Sequence, residues 1–110
     1  MIIDQNANTS IITQEKATII TLVSKLQEAY SKFKNNNIII VLTQLNPLGV
    51  NDINEFLQIS NTHREAKHSF VVVSSKIDLD IVPDDIIVVP TIQEAYDVIE
   101  MEDIERDLGF

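Results

Sequence analysis

At 110 residues and 45% hydrophobic content, the chain has the size of one domain with a modest core, and a wholly disordered chain is excluded. It contains no Cys, which excludes disulfides and thiol chemistry. Seventeen acidic and eight basic side chains give a formal charge of −9, which opposes binding to the phosphate backbone of nucleic acids.

The first residues, "MIID", lack the basic segment and long apolar run of a signal peptide. No stretch approaches roughly 18 apolar residues, so the expectation is a cytoplasmic protein without a membrane span. "MIID" and "TSIIT" are short apolar segments joined by the polar "QNAN", a pattern that fits a hairpin or tight reversal. Thr13 is positioned to cap a helix, with Glu15 in its first turn. Ile19, Leu22, Val23, Leu26, Tyr30 and Phe33 then recur at helical spacing and define one apolar stripe. "NNN" at 35–37 ends that helix. "IIIVL" at 38–42 has no polar alternation, which predicts a strand buried on both faces.

A second helix is expected from near Asn51, with Ile53, Phe56, Leu57 and Ser60 on one face and Arg64 near its end. "FVVV" at 70–73 is the next strand. "SSKIDLDIVPDD" contains either a short helical turn or an irregular loop, and its "VPDD" reads as a turn. "IIVV" at 86–89 is the last strand, ended by Pro90. Thr91 and Glu94 form a capping box for a final helix that buries Ile92, Ala95, Tyr96 and Ile99 and continues through Ile104 and Leu108. The order is β-β-α-β-α-β-β-α, an α/β arrangement in which right-handed crossovers make the central strands largely parallel. The chain reads as one domain over 1–110, with 100–110 as an acidic C-terminal helix extension. That extension carries Glu100, Glu102, Asp103, Glu105 and Asp107 against a lone Arg106, and suits either a basic partner surface or plain solvation.

Motifs for chemistry are sparse. His63 and His68 would sit about 140° apart on a helix, a poor geometry for a shared metal, and no H-E-x-x-H or EF-hand pattern occurs. His63 and Arg64 read as a helix-surface pair, with the arginine stem over the core edge. Ser69, Ser74 and Ser75 flank "FVVV" without a nucleophile elbow. Only Gly49 and Gly109 are present, which argues against a glycine-rich phosphate loop. No cofactor or metal is implied.

The segments "NIIIVLTQLN", "VNDINEFLQI", "SFVVVSS" and "IIVVPTIQEAYDVI" resemble the STAS domain of anti-sigma-factor antagonists. The resemblance covers most of residues 9 to 100 through soft, mainly hydrophobic motifs. It implies a STAS-like layered fold, with a mostly parallel central sheet and helices packed mainly on one side. The "EMEDIERDLGF" ending is also similar to that of a small bacterial family typical of Bacteroidetes, some of whose members carry a ribonuclease Z label. The "HxHxDH" metal array of that enzyme class is absent here, so the label implies no such activity.

In STAS switch proteins, the resemblance places a phosphorylatable Ser or Thr at the start of the helix after the second long strand, which corresponds to Val50 or Asn51. From Gln44 to Gln58 there is no Ser, Thr or Tyr, so the phosphorylation site is degenerate. Phosphorylation adds about −1.5 to −2 charge, and neither residue can reproduce that change reversibly. Asp52 places a fixed negative charge there, either as a permanent mimic or as an ordinary acid at a helix N-terminus.

The favoured expectation is a noncatalytic, regulatory protein-interaction domain that binds through Leu48, Gly49, Val50, Asn51, Asp52 and Glu55. Glu55 and Arg64 are its candidate specificity residues. The alternatives are a small-ligand or hydrolase site at the carboxyl ends of the strands, formed by Asn46, Asn51, Asp52 and Ser74, and a structural homodimer. Phe110 would dock back on the domain or reach another chain.

Overall fold

A computed structural model describes residues 2–14, 18–42, 50–75, 80 and 82–109. Two short strands, β1 (Ile2–Asn6) and β2 (Thr9–Thr13), form an antiparallel hairpin in register Asn6 opposite Thr9. Ala7, at its tip, has φ 54, a left-handed conformation that costs a non-glycine residue about 1 kcal/mol. Helix α1 (Ile19–Glu28) follows and ends in a 3₁₀ turn at Tyr30–Lys32. Next come β3 (Asn37–Val41), α2 (Val50–Asn54), α3 (Leu57–Glu65), β4 (Phe70–Val73), β5 (Ile87–Val89) and α4 (Ile92–Asp107). The sheet order is β1-β2-β3-β4-β5, and every pair after the hairpin is parallel.

The period-2 alternation of strands explains the layering. Ile38 and Ile40 of β3 and Phe70 and Val72 of β4 point into one core with α1, α2 and α3. Ile39, Val41, Val71 and Val73 point the other way, onto Ala95 and Ile99 of α4. Crossovers of one hand that step in one direction across a sheet must lie on one face. Accordingly α1 and the α2–α3 pair share a face, and Val82 and Ile86 from the β4–β5 connection join the same core. The sheet is therefore mostly parallel, with helices mainly on one side and α4 on the other. "IIIVL", read as a strand buried on both faces, is buried throughout, and so is the next strand, "FVVV".

Several local expectations change. Thr13 stays in the ladder opposite Val41, and Thr18 is the cap of α1, its hydroxyl accepting from Thr21 N at 3.2 Å. The apolar stripe is buried at Ile19, Leu22, Val23, Leu26 and Phe33, with Tyr30 half-buried. "NNN" does not simply end a helix, because Asn37 begins β3 and is buried. The helix expected from Asn51 to Arg64 is broken at Glu55 and Phe56, where Phe56 N donates to Ile53 O. "VPDD" does turn, closed by Ile86 N donating to Pro83 O at 3.1 Å. Thr91 caps α4 through its hydroxyl on Glu94 N at 3.2 Å. Ile92 is 41% exposed rather than buried, because it lies in the first turn of α4, ahead of the Ala95 and Ile99 contacts. Among the described residues, no helix is long and apolar enough to cross a membrane.

Candidate functional site

The strand-to-helix junction lies at the carboxyl end of β3. Leu48, Gly49 and Asn46 fall outside the described residues, as does Phe110, and Val50 is the first residue of α2. Ile53 and Phe56 are fully buried and anchor this segment to the core. The same helical geometry turns Asn51, Asn54 and Glu55 outward, with Asp52 half-buried in the first turn. The result is a short polar edge held by two apolar side chains. Ser74, at the end of β4, is buried, and its backbone N–H continues the ladder to Val89 O at 2.9 Å. Also at this end of the sheet is Gln14, which sequence reading passed over. Its N–H donates to Val41 O at 3.1 Å, whereas its side-chain Oε1 is buried and lacks a hydrogen-bond partner.

His63 is not on the helix surface: it is fully buried. Restarting the helix at Leu57 turns Ile59, Ser60 and His63 inward and leaves Arg64 half-buried at the edge. His63 Nε2 lies 2.6 Å from Asn36 O, and its Nδ1 lies 2.7 Å from the Tyr30 hydroxyl. A carbonyl oxygen only accepts, so Nε2 carries the proton and Nδ1 accepts from Tyr30 O–H. The His68 ring lies against His63 with centroids 5.4 Å apart, because Lys67 takes a left-handed conformation (φ 69) and folds the chain back after α3.

Tyr30, His63 and the Asn36 carbonyl have the form of a nucleophile, a base and an orienting group. Their electrostatics run against that role. Burial lowers the imidazole's pKa below its ordinary value; the Asn36 carbonyl opposes the shift, and His68 and Arg106 add to it. Burial also raises the Tyr30 phenol. A catalytic pair needs a stronger base and a more acidic nucleophile, so this trio reads as a structural tie between α1, β3 and α3.

A second polar cluster ties α3 and β4 to α4. Arg64 Nη2 donates to Glu102 Oε2 at 2.9 Å, and the Ser69 hydroxyl donates to Glu102 Oε1 at 2.6 Å. Arg106 donates to Ser69 Oγ and, at 2.9 Å, to Asp103 Oδ1. The cluster lies at the end of the sheet opposite α2, so Glu55 and Arg64 are not brought together as one specificity surface. Among the described residues, no group of three or more His, Cys, Asp or Glu is placed to hold a metal ion.

No family model matches the sequence, and no curated protein matches it. Among solved structures, RsbS of Moorella thermoacetica, in a serine-to-glutamate variant, is similar with a TM-score of 0.68. The match covers 94% of this chain and 96% of that one at 11% identity. At that identity the likeness establishes a shared fold, which is the STAS-like layered architecture.

Proposed function

We propose that this chain is a noncatalytic protein-interaction domain of the regulatory kind, similar to anti-sigma-factor antagonists, that binds a protein partner through Leu48, Gly49, Val50, Asn51, Asp52 and Glu55. The observation that carries this reading is the α2 edge, where Asn51, Asn54 and Glu55 are exposed beside fully buried Ile53 and Phe56. The fold shared with RsbS supports it. The opposed pKa directions at Tyr30 and His63 argue against catalysis there. With no hydroxyl between Gln44 and Gln58, binding at this edge is not reversed by phosphorylation of the junction.

The test is capture from native-source lysate on the purified protein, beside an Asn51→Arg/Glu55→Lys variant with an unchanged melting curve. A specific partner lost with the variant supports the reading. The same partners retained by both baits would remove this edge from the function.

Gln14 favours a second reading, a polar small molecule at the carboxyl ends of the strands, because its buried Oε1 has no hydrogen-bond partner. A small polar compound that raises the melting temperature of the wild type but not of Gln14→Leu would favour that reading over the first.

A further inference from the structure

On the sheet face opposite α2, a groove of about 380 Å³ separates α4 from the tip of the β1–β2 hairpin. Glu100, Asp103 and Asp107 line it, together with Ile104, and no lysine or arginine does. The hairpin side supplies the amides of Asn6 and Asn8, and Asn6 Nδ2 reaches Tyr96 Oη at 3.3 Å. The other flank of α4 is pinned by the Arg64, Ser69 and Glu102 contacts, so the groove has a fixed wall.

Charge in this groove is unfavourable for the isolated protein. Carboxylates three and four residues apart on a helix repel one another. They also stand in the C-terminal half of α4, where the helix dipole disfavours negative charge. Arg106 offsets Asp103, but among the described residues Glu100 and Asp107 make no ion pair. Ile104, between them, is 54% exposed.

The geometry points to this groove as a docking site for a basic segment of a partner protein. A second copy of the chain carries the same −9 charge and is repelled, and a nucleic acid meets three carboxylates. Glu100 and Asp107 are seven residues apart on α4, about 10 Å along its axis. In an extended segment, side chains four positions apart share a side and stand about 13 Å apart, a separation that flexible lysines adjust to the two carboxylates. The occupant therefore carries two cationic side chains four positions apart, with an apolar residue midway on the same side to cover Ile104. This surface is separate from the α2 edge and does not depend on the reading proposed for it.

The test uses a fluorescein-labelled synthetic peptide containing lysine-serine-leucine-serine-lysine between neutral flanks, titrated by anisotropy in low salt against the whole chain. Glu100→Gln/Asp107→Asn is compared with Glu94→Gln/Asp97→Asn, which removes equal charge from the other half of α4. At about 0.2–1 kcal/mol per exposed ion pair, the first variant weakens binding by up to about thirtyfold. The second changes it by less than about twofold, and amide shifts on titration cluster at Asn6, Ala7 and Ile104. Equal weakening by both variants would reduce the effect to general charge attraction and overturn the site. So would shifts confined elsewhere, or a concentration-dependent dimer in sedimentation that Glu100→Gln/Asp107→Asn abolishes.

Discussion

Replacing His63 with Phe tests the account of the buried imidazole. The ring packs among Tyr30, His68 and Phe70, with centroids 5.5, 5.4 and 6.4 Å away. Phe fills most of that space, so the change removes two hydrogen bonds without opening a large cavity. Tyr30 O–H then loses its acceptor and Asn36 O its donor. A fully buried group left unpaired costs about 1–3 kcal/mol. Both partners are only half-buried and recover part of that from water, so the combined loss is about 2 kcal/mol at neutral pH. The pH dependence supplies the sharper discriminator. Burial lowers the folded imidazole below its ordinary value of about 6.5, so between the folded and ordinary values the unfolded chain binds the additional proton. The contribution is thus fully present above about pH 6.5 and is lost as pH falls toward the folded value. Urea unfolding followed by circular dichroism at about pH 7.5, 6.5 and 5.5 measures both effects, above the range where most carboxylates titrate. Wild type should lose stability on acidification, and His63→Phe should be weaker at pH 7.5 but flatter across the series. An equally steep variant, or one as stable as wild type at pH 7.5, would refute the buried neutral imidazole.

Asn37→Ala leaves the fully buried Ser69 N–H without its 2.8 Å acceptor and should cost about 2 kcal/mol in chemical denaturation; a change under about 0.5 kcal/mol would show that the bond is dispensable. Glu102→Ala removes the acceptor shared by Arg64 and Ser69, groups partly screened by solvent, and should cost about 1 kcal/mol. Its signature is faster amide exchange in the last turns of α4 with β3 unchanged, and uniform acceleration would contradict a local latch. Asp4 is the lone charge in exposed edge strand β1. Asp4→Val joins it to Ile2 and Ile3, and light scattering should rise with concentration beyond that of the wild type.

The sheet was legible because its information is local. "IIIVL" and "FVVV" carry apolar side chains at successive positions, which only a strand covered on both faces accommodates. The second helix was legible in position but not in phase. The expected face of Ile53, Phe56, Leu57 and Ser60 leading to Arg64 is buried at Ile53, Phe56 and Ser60 but only half-buried at Leu57 and Arg64. Phe56, Ile59, Ser60 and His63 form a second track at equally good spacing. The break at Glu55–Phe56 selects the second track, and Ile59 four residues before His63 was the available signal. Reading His63 as buried further required its partners, and Tyr30 and Asn36 lie 33 and 27 residues away in the chain. The Ser69–Glu102 and Arg64–Glu102 contacts span 33 and 38 residues and were equally out of reach. Thr13 was misassigned as a cap because a threonine before an apolar run also ends strands, and pairing with Val41 decided between the two.

The distribution of polar partners also separates binding from chemistry. His63 is satisfied on both nitrogens, and the Ser69 hydroxyl donates to Glu102 while accepting from Arg106. A hydroxyl so engaged faces no free base, and arginines paired with Glu102 and Asp103 are poorly placed to stabilise a developing anion. Among the described residues, Gln14 Oε1 and Arg64 Nη1 are buried without a hydrogen-bond partner and depart from this pattern. Among the described residues, the groups of interest without ion pairs lie outside: Glu55 on the polar edge after α2, and Glu100 and Asp107 on the groove face of α4. Groups that already satisfy one another inside hold the fold. Charges left at the surface, near opposite ends of the sheet, are available to a second molecule, which is what the proposed recognition role requires.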